Sequence, residues 1–155
     1  MPKIETTVDV AASPETCWSI IADPTYFPKL IPDVISVSAE PLGLATVGQK
    51  LHGVMKVAGR RTDFFGEVSE IEPNRKLVTS QRPGGLFKSF TSTDLLEPTK
   101  KGTRSTNTFE YELSMGYLGK VLNKIVVQRT LTRNANVFSR NLKEIAELKE
   151  MPKTT

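Results

Sequence analysis

Cysteine and histidine are almost missing from this chain, and each shortage removes a class of chemistry. Cys17 is the single cysteine among 155 residues, so no internal disulfide can form. It stands beside Trp18 in a segment of helical pattern, where a buried structural thiol is expected rather than a reactive one. His52 is the only histidine, so neither a multi-histidine metal cluster nor a triad needing several imidazoles can be assembled. It sits mid-strand beside Gly53 and reads as a surface or hydrogen-bonded strand residue. A general acid or base there would need a cavity-facing ring and a partner carboxylate.

Long apolar runs are missing too. No stretch approaches the ~20 apolar residues of a membrane-spanning helix, and Met1-Pro2-Lys3-Ile4-Glu5 carries no apolar signal core. With a lone cysteine suited to a reducing compartment, the expectation is a soluble, cytoplasmic protein. Acidic residues are absent between Glu112 and Glu144, where Lys120, Lys124, Arg129, Arg133, Arg140 and Lys143 all fall. Much of the net charge of +4 is therefore local. Its plain meaning is a solvated helix face, and its functional alternative is contact with an anionic membrane. Nucleic acid is not expected, because aromatic stacking groups do not accompany the cations. Ser80, Ser89, Ser92 and Ser105 have no His or Lys at a catalytic spacing. The carboxylates Glu67, Glu70, Glu72, Glu110 and Glu112 fall on the solvent side of the strand pattern. Pro83-Gly84-Gly85 precedes a strand rather than a helix, so it is an ordinary loop and not a phosphate cradle. No catalytic residue, metal site or cofactor is expected.

What is present is a strand-rich chain closed by one long helical pattern. At 38% hydrophobic and 25% charged residues the composition is that of a globular protein. Ile4, Thr6, Val8 and Val10 alternate with polar residues as a first strand. Ser13-Pro14-Glu15-Thr16 is a helix start with Ser13 as N-cap. Asp23-Pro24 ends that helix and opens a second, Thr25 to Leu30. Strands follow over Val34 to Ala39, Gly48 to Val57, Thr62 to Ile71, Leu77 to Gln81, Leu86 to Leu96 and Thr103 to Leu113. Turns fall at Ala58-Gly59-Arg60, Glu72-Pro73-Asn74-Arg75 and Lys100-Lys101-Gly102. Ser105, Asn107, Phe109, Tyr111 and Leu113 share one face of the last strand. Hairpin-length turns imply an antiparallel sheet, and helices gathered on one side make the class α+β. Glycines at 48, 53, 59, 66 and 102 would allow bends or bulges.

The closing helix has two apolar stripes. Val127, Leu131, Ala135, Phe138, Leu142, Ile145 and Leu148 recur at three- and four-residue steps. Leu118, Val121, Leu122, Ile125 and Val126 form a second stripe which, at about 100° per residue, points elsewhere. Either the helix bends near Val126 or its first turns meet something other than the core: a ligand, a membrane or a partner chain.

Several segments together carry a resemblance: Val8-Asp9-Val10 with Ala12-Ser13-Pro14-Glu15-Thr16-Cys17-Trp18, then Ile21-Ala22-Asp23-Pro24 through Ile31-Pro32. Glu67-Val68 to Ile71-Glu72-Pro73-Asn74-Arg75-Lys76-Leu77, Leu96-Glu97-Pro98 before Gly102-Thr103-Arg104, and Tyr117-Leu118-Gly119-Lys120-Val121-Leu122 complete the set. In order and spacing they resemble the START-like, helix-grip superfamily and its polyketide cyclase/dehydrase-type members. The resemblance implies one domain over residues 1–150 with a flexible tail at 151–155. It implies a curved seven-stranded antiparallel sheet wrapped around a long C-terminal helix, two short helices after strand 1, and a hydrophobic cavity beneath. Such folds host carriers and cyclases alike, so activity does not follow from fold.

The expected cavity lining is Leu51, Met55, Phe64, Val68, Phe90, Phe109 and Tyr111 from the sheet. Tyr26, Phe27 and Leu30 would come from the short helix, and Leu118, Val121, Leu122 and Ile125 from the start of the long one. A cavity of ~300–1,000 Å³ with Tyr111 or Asn107 as its polar group would suit a lipid, quinone or polycyclic compound. Binding or carriage of such a molecule is the first expectation. A cyclase- or aromatase-like enzyme is the second, favoured if His52, Tyr111 or Arg82 enters the cavity. A membrane-associated adaptor is the third. The protein is expected to be a monomer or weak homodimer.

Overall fold

The computed structural model describes residues 2–57, 59–82, 87–113 and 121–151. Seven strands form one antiparallel sheet, in the order β1-β7-β6-β5-β4-β3-β2. They are β1 (Lys3–Val10), β2 (Val34–Glu40), β3 (Lys50–Val57), β4 (Arg60–Glu72), β5 (Lys76–Gln81), β6 (Phe87–Thr99) and β7 (Gly102–Leu113). Between β1 and β2 lie α1 (Pro14–Ile21), a 3-10 turn at Pro24–Tyr26 and α2 (Phe27–Leu30). The chain closes with α3 (Val121–Glu150). This is the α+β helix-grip arrangement that the sequence implies.

Local chemistry explains the corners. Ser13 caps α1 by accepting from the Thr16 amide at 3.2 Å, with Pro14 at the first helical position. Asn74 takes the left-handed conformation, φ +62°, in the turn between β4 and β5. Gly102 lies at φ +149°, and a Cβ there would stand 2.2 Å from the Val10 carbonyl oxygen. The β6–β7 turn can therefore press against the end of β1 only with glycine.

Two sequence expectations about the sheet need correction. β6 does not stop at Glu97-Pro98 but runs to Thr99, with Pro98 opposite Thr103. Leu96 donates its amide to Arg75 just beyond β5. By alternation the Pro98 nitrogen faces that same side, where β5 has ended, so no ladder bond is lost. The bulges also fall elsewhere than at glycines, whereas Gly48, Gly59 and Gly102 take positive φ at the strand ends. Register shifts occur between Val34 and Ser36, Val68 and Glu70, and Phe87 and Ser89, and bulges of this kind curl a sheet. Gly53 instead makes room for a neighbour: a Cβ there would fall 2.1 Å from the Phe64 ring.

Along α3 the buried face runs through Val127, Leu131, Ala135, Phe138, Leu142 and Ala146. Leu148, expected on this stripe, is 72% exposed; Ala146 takes the last core position and Ile145 packs beside it. The helix lies chiefly along β1 and β7 and against α1 and α2. Its polar groups tie it down. Arg133 reaches Asp33 at 2.7 Å, and the Asn141 amide donates to the carbonyls of Lys29 and Leu30. Glu147 accepts from the Ala11 amide at 2.9 Å, while Glu150 accepts from the Ser13 amide and the Thr16 hydroxyl. These bonds to the charged form hold both carboxyls below their ordinary pKa.

Two hydrophobic clusters result. One joins α1 and α2 to the C-terminal half of α3 through Ile20, Ile21, Leu30, Leu96, Phe138 and Leu142. The other joins β6, β7 and the N-terminal half of α3 through Phe87, Phe90, Phe109, Tyr111, Val127 and Leu131.

Candidate functional site

Because α3 follows β1 and β7, the strands β3, β4 and β5 curl away from it, and a cavity of about 120 Å³ opens between them. Its sheet wall comes from inward positions at a spacing of two: Leu51 and Met55 on β3, Phe64 and Gly66 on β4, and Leu77, Thr79 and Gln81 on β5. β6 adds Phe87, Phe90, Ser92 and Asp94, and β7 adds Asn107 and Phe109. Leu131, Asn134 and Phe138 of α3 form the roof, and Phe27, Ile31 and Val34 close one side. Phe90 lies 5.0 Å from Phe87 and 5.4 Å from Phe109, centroid to centroid, so one wall is a continuous aromatic surface.

Of the residues expected to line a cavity, Phe27, Leu51, Met55, Phe64, Phe90 and Phe109 do. Five others lie elsewhere. Tyr26 is half-buried on the outside, with Lys29 and Lys149 over its ring at 5.3 and 5.7 Å. Leu30 is buried in the cluster under α1. Val68 is buried two residues beyond Gly66, held by backbone bonds to Gly48 and Gln49. Tyr111 packs edge-on to Phe87 behind the lining, where burial pushes its phenol up. Ile125 is 44% and Val126 38% exposed on an unbroken helix, so this end of the second stripe faces out rather than into the cavity. Leu118 falls outside the described residues, as do the side chains of Val121 and Leu122 and the tail from 152 to 155.

The cavity is smaller than the ~300–1,000 Å³ typical of drug-sized pockets, because the bulky rings of Phe27, Phe64, Phe87, Phe90, Phe109 and Phe138 all line it. His52, Tyr111 and Arg82 do not line it. His52 stands on the outer face, stacked on Phe65 at 4.5 Å and 3.5 Å from Asp63.

Asn107, expected as a polar group of the cavity, does line it, and the structure pairs it with a residue that the sequence pattern does not single out. Asp94 on β6 is directly opposite Asn107 on β7, and the Asn107 amide donates to its Oδ1 at 2.7 Å. Both side chains are buried, and the Asn107 Oδ1 has no hydrogen-bond partner. Burial pushes the Asp94 carboxyl up to about 7 against the opposing hydrogen bond from Asn107. A signal for it exists in the sequence: Asp94 shares strand parity with Phe90 and Leu96, which puts an acid on an otherwise inward face.

A curled antiparallel sheet gripping a helix over an apolar cavity defines the START-like class. The chain belongs to the family described as polyketide cyclase / dehydrase and lipid transport, whose model matches residues 1–147. A comparison with curated proteins finds no match. Solved structures with this fold include a protein from Thermus thermophilus, at 20% identity and TM-score 0.80, covering 97% of this chain and 100% of that one. The Zhui aromatase/cyclase from Streptomyces is similar at 17% identity and TM-score 0.81, covering 96% and 94%. A START superfamily protein from Mycobacterium smegmatis is similar at 20% and 0.71, covering 92% and 98%. At these identities the likeness is one of fold.

Proposed function

We propose that this protein binds and carries a hydrophobic small molecule in the cavity between β3–β7 and α3. The observation behind the reading is the cavity itself: a space walled by aromatic and aliphatic side chains, with its polar groups gathered at Thr79, Gln81, Ser92, Asp94, Asn107 and Asn134. Apolar burial at ~25 cal/mol per Å² would supply the affinity, less the entropy of association. The family description, which includes lipid transport, supports it. Native mass spectrometry of freshly purified protein, followed by solvent extraction, tests it. A stoichiometric adduct of an apolar compound is the expected result. A bare mass together with no uptake of lipid, quinone or hydrophobic dye would sink it.

A second reading, an enzyme of the cyclase or aromatase kind, is favoured by one observation. Asp94 is a buried carboxyl on the cavity wall, held where it can exchange a proton near neutral pH. The aromatase/cyclase name of one similar structure points the same way. On this reading, compounds extracted from wild-type and Asp94→Asn protein expressed in the same host differ in mass, by one water if the step is a dehydration. Identical extracts would count against it.

A further inference from the structure

We propose that the free edge of β2 pairs antiparallel with the same edge of a second copy of this chain, joining the two sheets across a two-fold axis. β2 ends the sheet, and only β3 lies beside it. Alternation shows which of its backbone groups are free. Val68 on β4 exchanges bonds with Gly48 and Gln49 just before β3, so Gly66 and Phe64, at steps of two, bond their partners Leu51 and Gly53. His52 and Val54 therefore turn to β2 and bond Ser38 and Ser36. Lys56, of the same parity, donates to the Asp33 carbonyl, as this assignment requires. Val37 and Ala39 are left with amides and carbonyls directed outward. The segment before β2 bonds it only at Val34, whose amide donates to Ile31, and among the described residues no hydrogen bond reaches the outward groups of Val37 or Ala39.

Sheet edges are ordinarily guarded by charge, by proline or by a covering element. The opposite edge has such guards. β1 carries Lys3, Glu5 and Asp9, and α3 lies along it, with Lys143 and Glu147 bonded to the Asp9 carbonyl and the Ala11 amide. β2 has none of these. From Val34 to Ala39 it carries no charge and no proline, and Ile35 is exposed. With β1 covered and β2 open, pairing closes at two copies instead of propagating.

Symmetry selects the occupant. When a strand pairs antiparallel with its own copy, the end of one meets the start of the other, at both ends of the pair. Past the end of β2 stands the uncharged loop 41–48, in which Leu42 is 89% exposed and Leu44 and Val47 are exposed as well. The loop is held in that form. The buried Gln49 side chain donates to the Pro41 and Gly43 carbonyls at 2.9 and 3.1 Å, and the Ala45 amide donates to Ala22 at 2.7 Å. The two-fold brings this apolar loop of each copy to the Ile35 end of the other, while Val37 and Ala39 exchange bonds at the centre. Asp33 at that end is already paired with Arg133, so Glu40 of the other copy meets an ion pair rather than a bare acid. A bilayer would cover the loop but leave the polar groups of the strand unpaired; a second copy satisfies both.

Sedimentation velocity of the whole chain from the micromolar to the millimolar range, with residue-resolved amide exchange, tests the pairing. A monomer–dimer equilibrium is expected. Exchange at Val37 and Ala39 should slow as the dimer forms, while exchange at Ser36 and Ser38, already bonded to β3, changes little. Val37→Pro removes only an outward amide, and Leu42→Asp alters a side chain outside the core. Each is expected to weaken the dimer about tenfold or more. A chain that is monomeric throughout, a dimer whose Val37 and Ala39 amides exchange as freely as in the monomer, or a dimer indifferent to both variants would overturn the proposal. So would a monomer that floats with phosphatidylglycerol vesicles and loses that flotation in Leu42→Asp, which would assign the loop to a bilayer. Leu42→Asp and the exchange of the unmodified protein decide even if Val37→Pro does not fold.

Discussion

Among the described residues, Asp94 is the carboxyl that burial perturbs most. Its carboxyl is raised from 3.8 to about 7 in the folded protein. Between those values the native state keeps a proton that the unfolded chain has released, so unfolding releases a proton and rising pH favours it. The penalty is absent below about pH 4, grows through the interval and is complete above about pH 7. Asp94→Asn removes it. Urea denaturation is expected to show the variant more stable than wild type by roughly 2–4 kcal/mol at pH 8, with little difference at pH 4. Equal stability at both values would show that the carboxyl is not buried as described. Cys17 behaves in the same sense: burial pushes its thiol up. A thiol reagent such as a disulfide dye should therefore label it only as the protein unfolds, and labelling at the rate of an exposed cysteine in native buffer would contradict the packing.

Residue parity explains what is legible at this scale and what is not. The alternation of β7 is readable in full: Ser105, Asn107, Phe109, Tyr111 and Leu113 are all buried. Sharing a face does not mean sharing a cavity, however. Phe109 reaches the open space, while Tyr111, two residues along, is walled off behind Phe87. That distinction depends on where α3 crosses the sheet, a tertiary fact with no local signature. Asp94 escapes notice for the opposite reason, since a search for apolar residues passes over an acid on an inward face.

At the scale of elements, α3 is the part on which the sequence pattern and the structure differ most instructively. The stripe from Val127 to Leu142 holds, because those positions meet β1, β7 and α1. The change of phase near Val126 is real as well, and the helix answers it by leaving Ile125 and Val126 exposed rather than by bending into the cavity. Thr130, Asn134 and Ser139 are buried on the same helix, and an apolar period cannot register them. Leu142, fully buried between α1 and the sheet, should cost about 2–5 kcal/mol when replaced by Ala in a denaturant titration. A loss under ~0.5 kcal/mol would mean the helix end is not docked. Leu131 forms part of the roof of the cavity. Leu131→Phe should fill the space and lower dye or ligand uptake at least severalfold while the far-ultraviolet circular dichroism stays unchanged. Unaltered uptake would place the ligand elsewhere.

For the molecule as a whole, the carboxylates at the end of α3 close the structure against the corner between β1 and α1. Glu147 and Glu150 hold their bonds there as anions and have depressed pKa values. The stability they lend is present above the ordinary carboxylate range and is lost as pH falls through it. Acid should therefore loosen the α3 terminus first, and hydrogen exchange of residues 11–16 should speed up on going from pH 6 to pH 3 more than that of β6 and β7, after correction for intrinsic rates. Uniform change would remove these carboxylates from the account of the closure. Fold class and strand count are readable because every turn and nearly every strand carries its own local signal. The volume of the cavity is not, because it is a difference between the curl of the sheet and the bulk of six phenylalanine side chains.

The strand order also has a consequence in time. Lys3 and Glu110 are partners, as are Val10 and Thr103, so the first strand to be made is completed by the last. During synthesis, at about 5–20 residues per second, β1 must wait without its neighbour until β7 has emerged. Its apolar residues Ile4, Val8 and Val10 meanwhile lack the β7 ladder and the α3 face that complete their cover. The meander from β2 to β6 can assemble hairpin by hairpin behind it, since each of those strands pairs with the next. The protein is therefore built from its middle outward, and its N-terminal strand is the segment most in need of protection while the chain is still being made.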